Sequence, residues 1–388
     1  MSAVAELDPL LSDEGWAYAS TPPVEEGDPG RFHALFGRDS LITALQVLPA
    51  RPEVARATLR ALAARQGRRE HPGTLEALGK IGHEFRPAAP ESFLAAGWPD
   101  RGEFRYYGTA DATSWFLVLL AATRDADLAA ELEPAWRAAA GWLAGALDAG
   151  GGLVRHAPGT WDALVQQGWR DTLDPVAPEG HGGGILRPDG TMPEPPLADA
   201  DSQAAAHAAL RALERLDPGG DWGSRAEALR ARLSRDFGPD VIAVEAGDRP
   251  VRGAGSQLGW LLWADALEPD ARDAAAARLV APDILTAHGL RTLSSASPLF
   301  APDAYHRGSV WPFDSWLGWG GLRAAGRIEE AECVRTGVLS ALEHLGRAPE
   351  LYAVSPDGEL RGVPIANRVQ AWSVGARWAL EHGWDGRG

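Results

Sequence analysis

Sulfur is nearly absent from this sequence: a single cysteine, Cys333, leaves no internal disulfide and no multi-cysteine metal centre to consider. Its place in the helical stretch 329–343 reads as that of a small apolar side chain. Long apolar runs are also missing, and none reaches the ~18 residues of a membrane span. The opening MSAVAELDPLLSDEG has neither a basic n-region nor an apolar h-region, so a cytoplasmic location and no membrane partner are expected. Positive charge is scarce: 37 Lys and Arg face 53 Asp and Glu, a net charge of −16 and a pI near 5.1. A surface that tracks phosphates needs the opposite balance, so nucleic acid is not expected as a partner. No phosphate loop, HExxH, nucleophile-elbow serine or Cys/His ligand spacing occurs. The three glycines at 182–184 have no strand before them and no lysine after, and read as a flexible loop. Ten scattered histidines read as structural groups, and neither metal nor organic cofactor is called for.

Tryptophan is in excess, with 16 residues against 5 Tyr and 2 Met. Indole faces stack on the C–H faces of sugars and the ring N–H reaches a hydroxyl, although the same rings equally fill helical cores. Apolar positions recur at spacings of three and four over Asp39–Leu48, Pro52–Gln66, Ala112–Thr123, Leu128–Asp148, Ser202–Arg215, Trp222–Phe237, Ser256–Ala266, Pro269–Leu279, Val310–Ala325, Ile328–Leu345 and Arg368–His382. These helices alternate with long loops at Gly67–Gly108, Gly150–Ala200, Ala281–Ser309 and Gly346–Asn367, and strand-like alternation is confined to pieces such as Val241–Val244. Loops beyond ~15 residues are uncommon in compact domains unless they carry function. Paired helices with four such loops and no linker predict one all-α toroid over 1–388, with 1–30 as an extension leading into it.

Carboxylates flanked by aromatic residues, Arg and Gly recur at loop–helix junctions: FGRDS at 36–40, FRYYGTADAT at 104–113, QQGWRDTLD at 166–174, AYHRGSVWPFDSW at 304–316 and PELY at 349–352. Glycoside cleavage uses a protonated carboxyl to donate to the leaving oxygen and an ionised one to activate water, with the sugar held between them. These motifs supply such groups.

Together with GKIGHEFR at 79–86, LRTLS at 290–294 and VQAWSVGA at 369–376, the series resembles, in collinear order over nearly the whole chain, the catalytic domain of amylo-α-1,6-glucosidase or glycogen-debranching enzymes, relatives of the glucoamylase-like and family 63 glycoside hydrolases. The resemblance implies an (α/α)6 barrel and an inverting, exo-acting hydrolase that releases terminal α-linked glucose from oligosaccharide or glycogen-type substrates. It makes Asp171 the general acid and Glu350 the general base, with inverting geometry placing them about 6.5–9.5 Å apart. It also makes Arg38 and Asp39 a pair that holds hydroxyls of the terminal sugar.

Each residue has a structural alternative. Asp171 can cap a helix or pair with Arg170, although Trp169 beside it favours the raised pKa an acid needs. Glu359 competes with Glu350 as base. Arg38 and Asp39 can be a helix cap with a local ion pair, and Asp111 can contact sugar or cap the helix at Ala112. Tyr107, Trp169, Trp311 and Trp372 are candidates for sugar stacking or core filling. His306 and Arg307 suit orienting Glu350 or a hydroxyl, and His83 with Glu84 can be a structural pair.

The chain departs from the family pattern in five places. FGRDS begins at Phe36, so the β-rich domain usual before the barrel is not expected. Residues 366–372 read ANRVQAW where Pro-Gln-Ala-Trp is usual. Thr172 follows the acid where Ser is commoner, and Ala110 and Ser114-Trp115 also differ. Three rivals remain: a glucosyl- or mannosylglycerate hydrolase, for which Arg86, Arg155 or Arg368 would supply a cationic subsite; a non-catalytic sugar-binding barrel; and a sugar epimerase using His.

Overall fold

The computed structural model describes residues 3–22, 32–95, 97–99, 102–161, 164–172 and 184–387. Its α-helices are α1 (Gly37–Gln46), α2 (Pro52–Ala64), α3 (Glu91–Ala95), α4 (Ala112–Thr123), α5 (Ala126–Glu131), α6 (Glu133–Ala149), α7 (Ala200–Leu216), α8 (Trp222–Asp236), α9 (Gln257–Trp263), α10 (Pro269–Leu279), α11 (Pro312–Ala324), α12 (Ile328–Leu345) and α13 (Ala371–His382). Every residue of α1 and α9 is buried, and α4, α7, α11 and α13 are buried over most of their length. Helices apolar on all sides belong inside a larger helical assembly. These six pack in sequence, α1 on α4, α4 on α7, α7 on α9, α9 on α11, α11 on α13, and α13 back on α1, which closes a ring.

The amphipathic helices form the outer layer, with α2, α6, α8, α10 and α12 each lying against the inner helix that precedes it. The 3-10 segment Ala3–Leu10 packs on α13 as the sixth outer element. The architecture is an (α/α)6 barrel, as the sequence implied. Within the stretch read as an extension, residues 3–10 therefore line the barrel wall, whereas 1–2 and 23–31 lie outside the described residues, as do 182–183 of the glycine run. One hydrophobic cluster extends from Leu7 to Leu380. No helix among the described residues is long and apolar enough to cross a membrane.

Predicted helix limits agree with the structure to within a few residues, and Ala112–Thr123, Pro269–Leu279 and Ile328–Leu345 agree at both ends. The strand-like piece Val241–Val244 is a strand, whereas the helix α3 inside the 67–108 loop and the following features were not anticipated. The stretch 128–148 is divided at Leu132, with Pro134 in the first turn of α6, where a missing N–H costs nothing. The loops carry short strands: β1 (Leu35–Phe36), β2 (Glu84–Arg86) and β3 (Phe104–Tyr106) form one antiparallel sheet, and β4 (Ala198–Asp199), β5 (Val241–Glu245) and β6 (Arg249–Arg252) another. Two hairpins complete them, β7 (Leu285–Thr286) with β8 (Gly289–Leu290), and β9 (Tyr352–Val354) with β10 (Leu360–Gly362).

The inner helices α9 and α11 approach backbone to backbone, and a Cβ on Gly259 would stand 2.5 Å from the Cα of Gly318. Neither helix can retreat without opening the ring. Gly259→Ala is therefore expected to destabilise the protein by about 1–3 kcal/mol, as overpacking does. Urea unfolding followed by circular dichroism would read this as a lower midpoint.

Candidate active site

The first turns of the inner helices, and the residues just before them, lie at one end of the ring and supply Arg38, Asp39, Asp111, Gln370 and Trp372. Helix N-termini present unpaired N–H groups and a partial positive charge, which favours carboxylates at this end. Gly37 starts α1 under a tight constraint: its N–H donates to the His83 carbonyl at 2.9 Å, and a Cβ there would meet the Gly82 carbonyl at 2.2 Å. The glycine of FGRDS thus lets β1 and α1 lie against the 82–83 backbone, and the next two residues then face the mouth.

Arg38 is the centre of the arrangement. It is buried, and its Nη1 donates to Asp111 Oδ1 at 3.1 Å and Oδ2 at 3.3 Å, while Nη2 donates to Asp171 Oδ2 at 2.5 Å. Asp111 does not cap α4; Thr109 does, accepting from Ala112 N–H through Oγ1 at 3.3 Å and donating the hydroxyl to Asp111 at 2.9 Å. The cap reading of Asp111 fails because its carboxylate is committed to Arg38. Asp39 likewise makes no cap and accepts from Gln370 Nε2 at 3.3 Å. Burial pushes Asp39 up to about 7 against the pull of Arg38, with Asp171, Glu350 and Asp111 adding to the rise. That coupling brings both candidate catalytic carboxylates within electrostatic reach of one group.

Asp171 pairs with Arg38 and not with its neighbour Arg170. Burial raises its carboxyl to about 6 even though Arg38 opposes the shift. Its side chain keeps 22% exposure, so the carboxyl remains open to the mouth. Arg170 faces inward, donating to Asp201 at 3.0 Å, to Ser256 Oγ at 3.0 Å and to the Thr292 carbonyl at 2.9 Å, with its guanidinium 4.5 Å from the Trp169 ring centre. The GWRD segment is thus anchored by two residues and presents the third.

Glu350 is buried, and its carboxylate accepts from the Tyr305 hydroxyl on Oε1 and from Asn367 N and Nδ2 on Oε2 at 3.0 and 3.1 Å. Both oxygens are thus fixed by donors. The competitor Glu359 is exposed beside the turn of the β9–β10 hairpin. Tyr305, Asn367 and Gln370 had no assigned role in the sequence. The first stands one residue before the candidates His306 and Arg307, and the other two lie in the segment that departs from the family pattern.

The aromatic candidates sit deeper than sugar stacking requires. Tyr107 turns away from the mouth and donates its hydroxyl to the Arg65 carbonyl at 2.7 Å. Trp169 lies parallel to Trp260 at 6.0 Å and edge-on to Trp311, Trp311 is stacked on His306 at 5.3 Å, and Trp372 is stacked on Phe313 at 3.8 Å. None of the four candidates exceeds 4% exposure, and the three tryptophans have a ring face covered by Trp260, His306 and Phe313. The three tryptophans pack beneath the mouth. Trp311 also fixes Tyr305 by donating its indole N–H to the Tyr305 carbonyl at 2.9 Å.

His306 does not touch Glu350. Its Nδ1 accepts from Gly184 N–H at 3.1 Å, which leaves the proton on Nε2, and burial with nearby Arg170, Arg38 and Arg307 holds it well below its usual pKa and neutral. His83 is neutral for similar reasons and lies edge-on to Phe36 and Tyr106, while Glu84 pairs with Arg86, so His83 and Glu84 are not partners. Of the proposed cationic subsite residues, Arg86 is committed to Glu84, Arg155 to Asp248 and the Gly150 carbonyl, and Arg368 is exposed. Arg307 differs. It is partly buried, burial alone lowers its pKa, its Nε has no acceptor, and no carboxylate among the described residues pairs with it.

Residues 194–356 match the family model of the mannosylglycerate hydrolase MGH1-like glycoside hydrolase domain. No curated protein matches the chain. Among solved structures, it is similar to the GH63 mannosylglycerate hydrolase from Thermus thermophilus in complex with Tris, at 16% identity and a TM-score of 0.67, over 98% of this chain and 99% of that one. The same hydrolase in complex with glucose gives 17% identity and a TM-score of 0.67 over 97% and 98%. A wild-type glycosidase gives 16% identity and a TM-score of 0.57 over 98% and 94%. At these identities the likeness establishes the fold.

Proposed function

We propose that the chain works as a single catalytic unit and is an inverting glycoside hydrolase with Asp171 as acid and Glu350 as base. The observation that carries this reading is the unequal setting of the two carboxyls at one mouth. Asp171 is raised by burial and partly open, which suits a proton donor, whereas Glu350 accepts from Tyr305 and Asn367 on both oxygens, which orients its carboxylate as a base must be oriented. Asp171 gives its proton to the glycosidic oxygen as the C1–O bond breaks. Glu350 takes a proton from water, whose oxygen attacks C1 from the opposite face. The products are an alcohol and a sugar of inverted anomeric configuration, with Asp171 left ionised and Glu350 protonated. Exchange with solvent resets both.

The substrate we favour is a small glycoside with an anionic aglycone, of the glucosyl- or mannosylglycerate type, over the neutral α-1,6-glucosides that the sequence resemblance pointed to. The family match over 194–356 and the likeness to a mannosylglycerate hydrolase support it. So does Arg307, a partly desolvated cation with no carboxylate paired to it among the described residues, two residues beyond the tyrosine that holds Glu350. A carboxylate there would gain charge-assisted hydrogen bonds from the guanidinium.

Sugar release from mannosylglycerate, glucosylglycerate, isomaltose and panose tests the assignment, with the first anomer identified by NMR. Hydrolysis of a glycerate glycoside with the inverted anomer first is expected; the retained anomer first would rule out this chemistry. Arg307→Gln is expected to raise KM for the glycerate substrate by roughly 10- to 100-fold, the worth of one hydrogen bond to a charge. The corresponding glycerol glycoside, which lacks the carboxylate, should be nearly indifferent to the change. Equal effects on both would remove Arg307 from carboxylate recognition.

A further inference from the structure

The contact between Arg38 and Asp171 poses a chemical conflict. A general acid must carry a proton when the glycosidic bond breaks, yet a guanidinium in contact with a carboxyl favours the ionised form. The two ends of Arg38 are differently placed to resolve it. Nη1 is bound to both oxygens of Asp111, whose side chain is 0% exposed, whereas Nη2 is bound to Asp171, whose side chain is 22% exposed. An incoming hydroxyl can therefore reach the Asp171 end and not the Asp111 end. Arg38 also has a buried Nε–H with no acceptor among the described residues, which leaves the guanidinium hydrogen-bonding capacity to offer.

We propose that Arg38 is a substrate-operated switch on Asp171: before substrate binds it holds the carboxylate ionised, and sugar hydroxyls that engage the guanidinium free Asp171 to take up the proton it then donates. This rests on the reading of Asp171 as the acid. The groups facing Asp171 decide the direction of the change. Asp39 comes from α1, Asp111 from the start of α4, Glu84 from β2 and the Tyr106 phenol from β3, and Arg38 is the cation in contact with it. With the Arg38 contact weakened, Asp171 stands buried among three other carboxyl groups, and protonation is the favoured outcome. The proton comes from solvent through the exposed edge of the carboxyl. Anchoring by Asp111 keeps Arg38 in place, so the switch needs a change of partner and no movement of a helix.

The switch makes ligand binding take up protons, which no purely structural ion pair would do. Calorimetric titration of the wild-type protein with D-mannose and D-glucose at pH 7, in buffers of different ionisation enthalpy, measures this directly. Uptake of roughly 0.5 proton per sugar bound is expected from linkage. Asp171→Asn should bind sugar with no uptake, and Arg38→Lys, which keeps the charge and loses the fork, should show less than wild type. In steady-state kinetics the high-pH limb of kcat should lie at higher pH than that of kcat/KM, since the first reports the bound enzyme and the second the free one. Sugar binding without proton uptake, or coincident limbs, would overturn the switch and leave the glycosidase reading intact. Binding of neither sugar together with no hydrolysis would overturn the glycosidase reading and the switch with it.

Discussion

Glu350→Gln should lower kcat by about 10³-fold, within the range of a lost general base. The amide cannot take a proton from water. Nor can it accept from Tyr305 and Asn367 on both sides, because one of its ends now carries hydrogens that face a donor. Part of the loss is therefore misplacement, which Glu350→Ala with added azide separates. Azide needs no base and should restore turnover by attacking C1 from the water side, giving a glycosyl azide of inverted configuration. Glu359→Gln, on its exposed hairpin, should leave kcat unchanged. A large loss in Glu359→Gln with little in Glu350→Gln would exchange the two assignments.

Asp171→Asn should cost about as much, roughly 10²- to 10⁴-fold, and the loss should depend on the leaving group. An alkoxide such as that of glycerate departs poorly without a proton, so the full loss is expected there. A 4-nitrophenyl glycoside, whose phenolate leaves unaided, should lose far less. The variant should also lack the high-pH limb. Asp171 lies at about 6 before substrate binds, so wild-type kcat/KM falls as pH rises through that region and the acid ionises. An Asn has nothing to ionise there. Uniform loss across leaving groups, with the limb retained, would mean that Asp171 only binds sugar.

The two carboxyls were not equally legible in the sequence. Asp171 stands beside Trp169 and Arg170, and the expectation of a raised pKa next to a large apolar ring agrees with the direction produced by burial. The basis for Glu350 was the resemblance, and the groups that suit it to act as a base, Tyr305 and Asn367, are 45 and 17 residues away. The tryptophans misled because composition counts rings and not the faces left open. Trp169 and Trp372 are covered by Trp260 and Phe313, which are distant in sequence, and Trp311 by the nearby His306.

What the sequence determined by itself is what depends on neighbours a few residues apart. Apolar spacing of three and four set the helices, a local consequence of the helical period. The glycine of FGRDS and the anchors of GWRD were visible as types. Tertiary structure decided their partners. Arg38 meets Asp111 and Asp171 across 73 and 133 residues, Gln370 meets Asp39 across 331, and Ala3–Leu10 completes the wall against α13. No local pattern encodes such meetings, because they exist only once six helix N-termini have been brought to one mouth. There burial raises Asp171, while Tyr305 and Asn367 direct hydrogen bonds at both oxygens of Glu350.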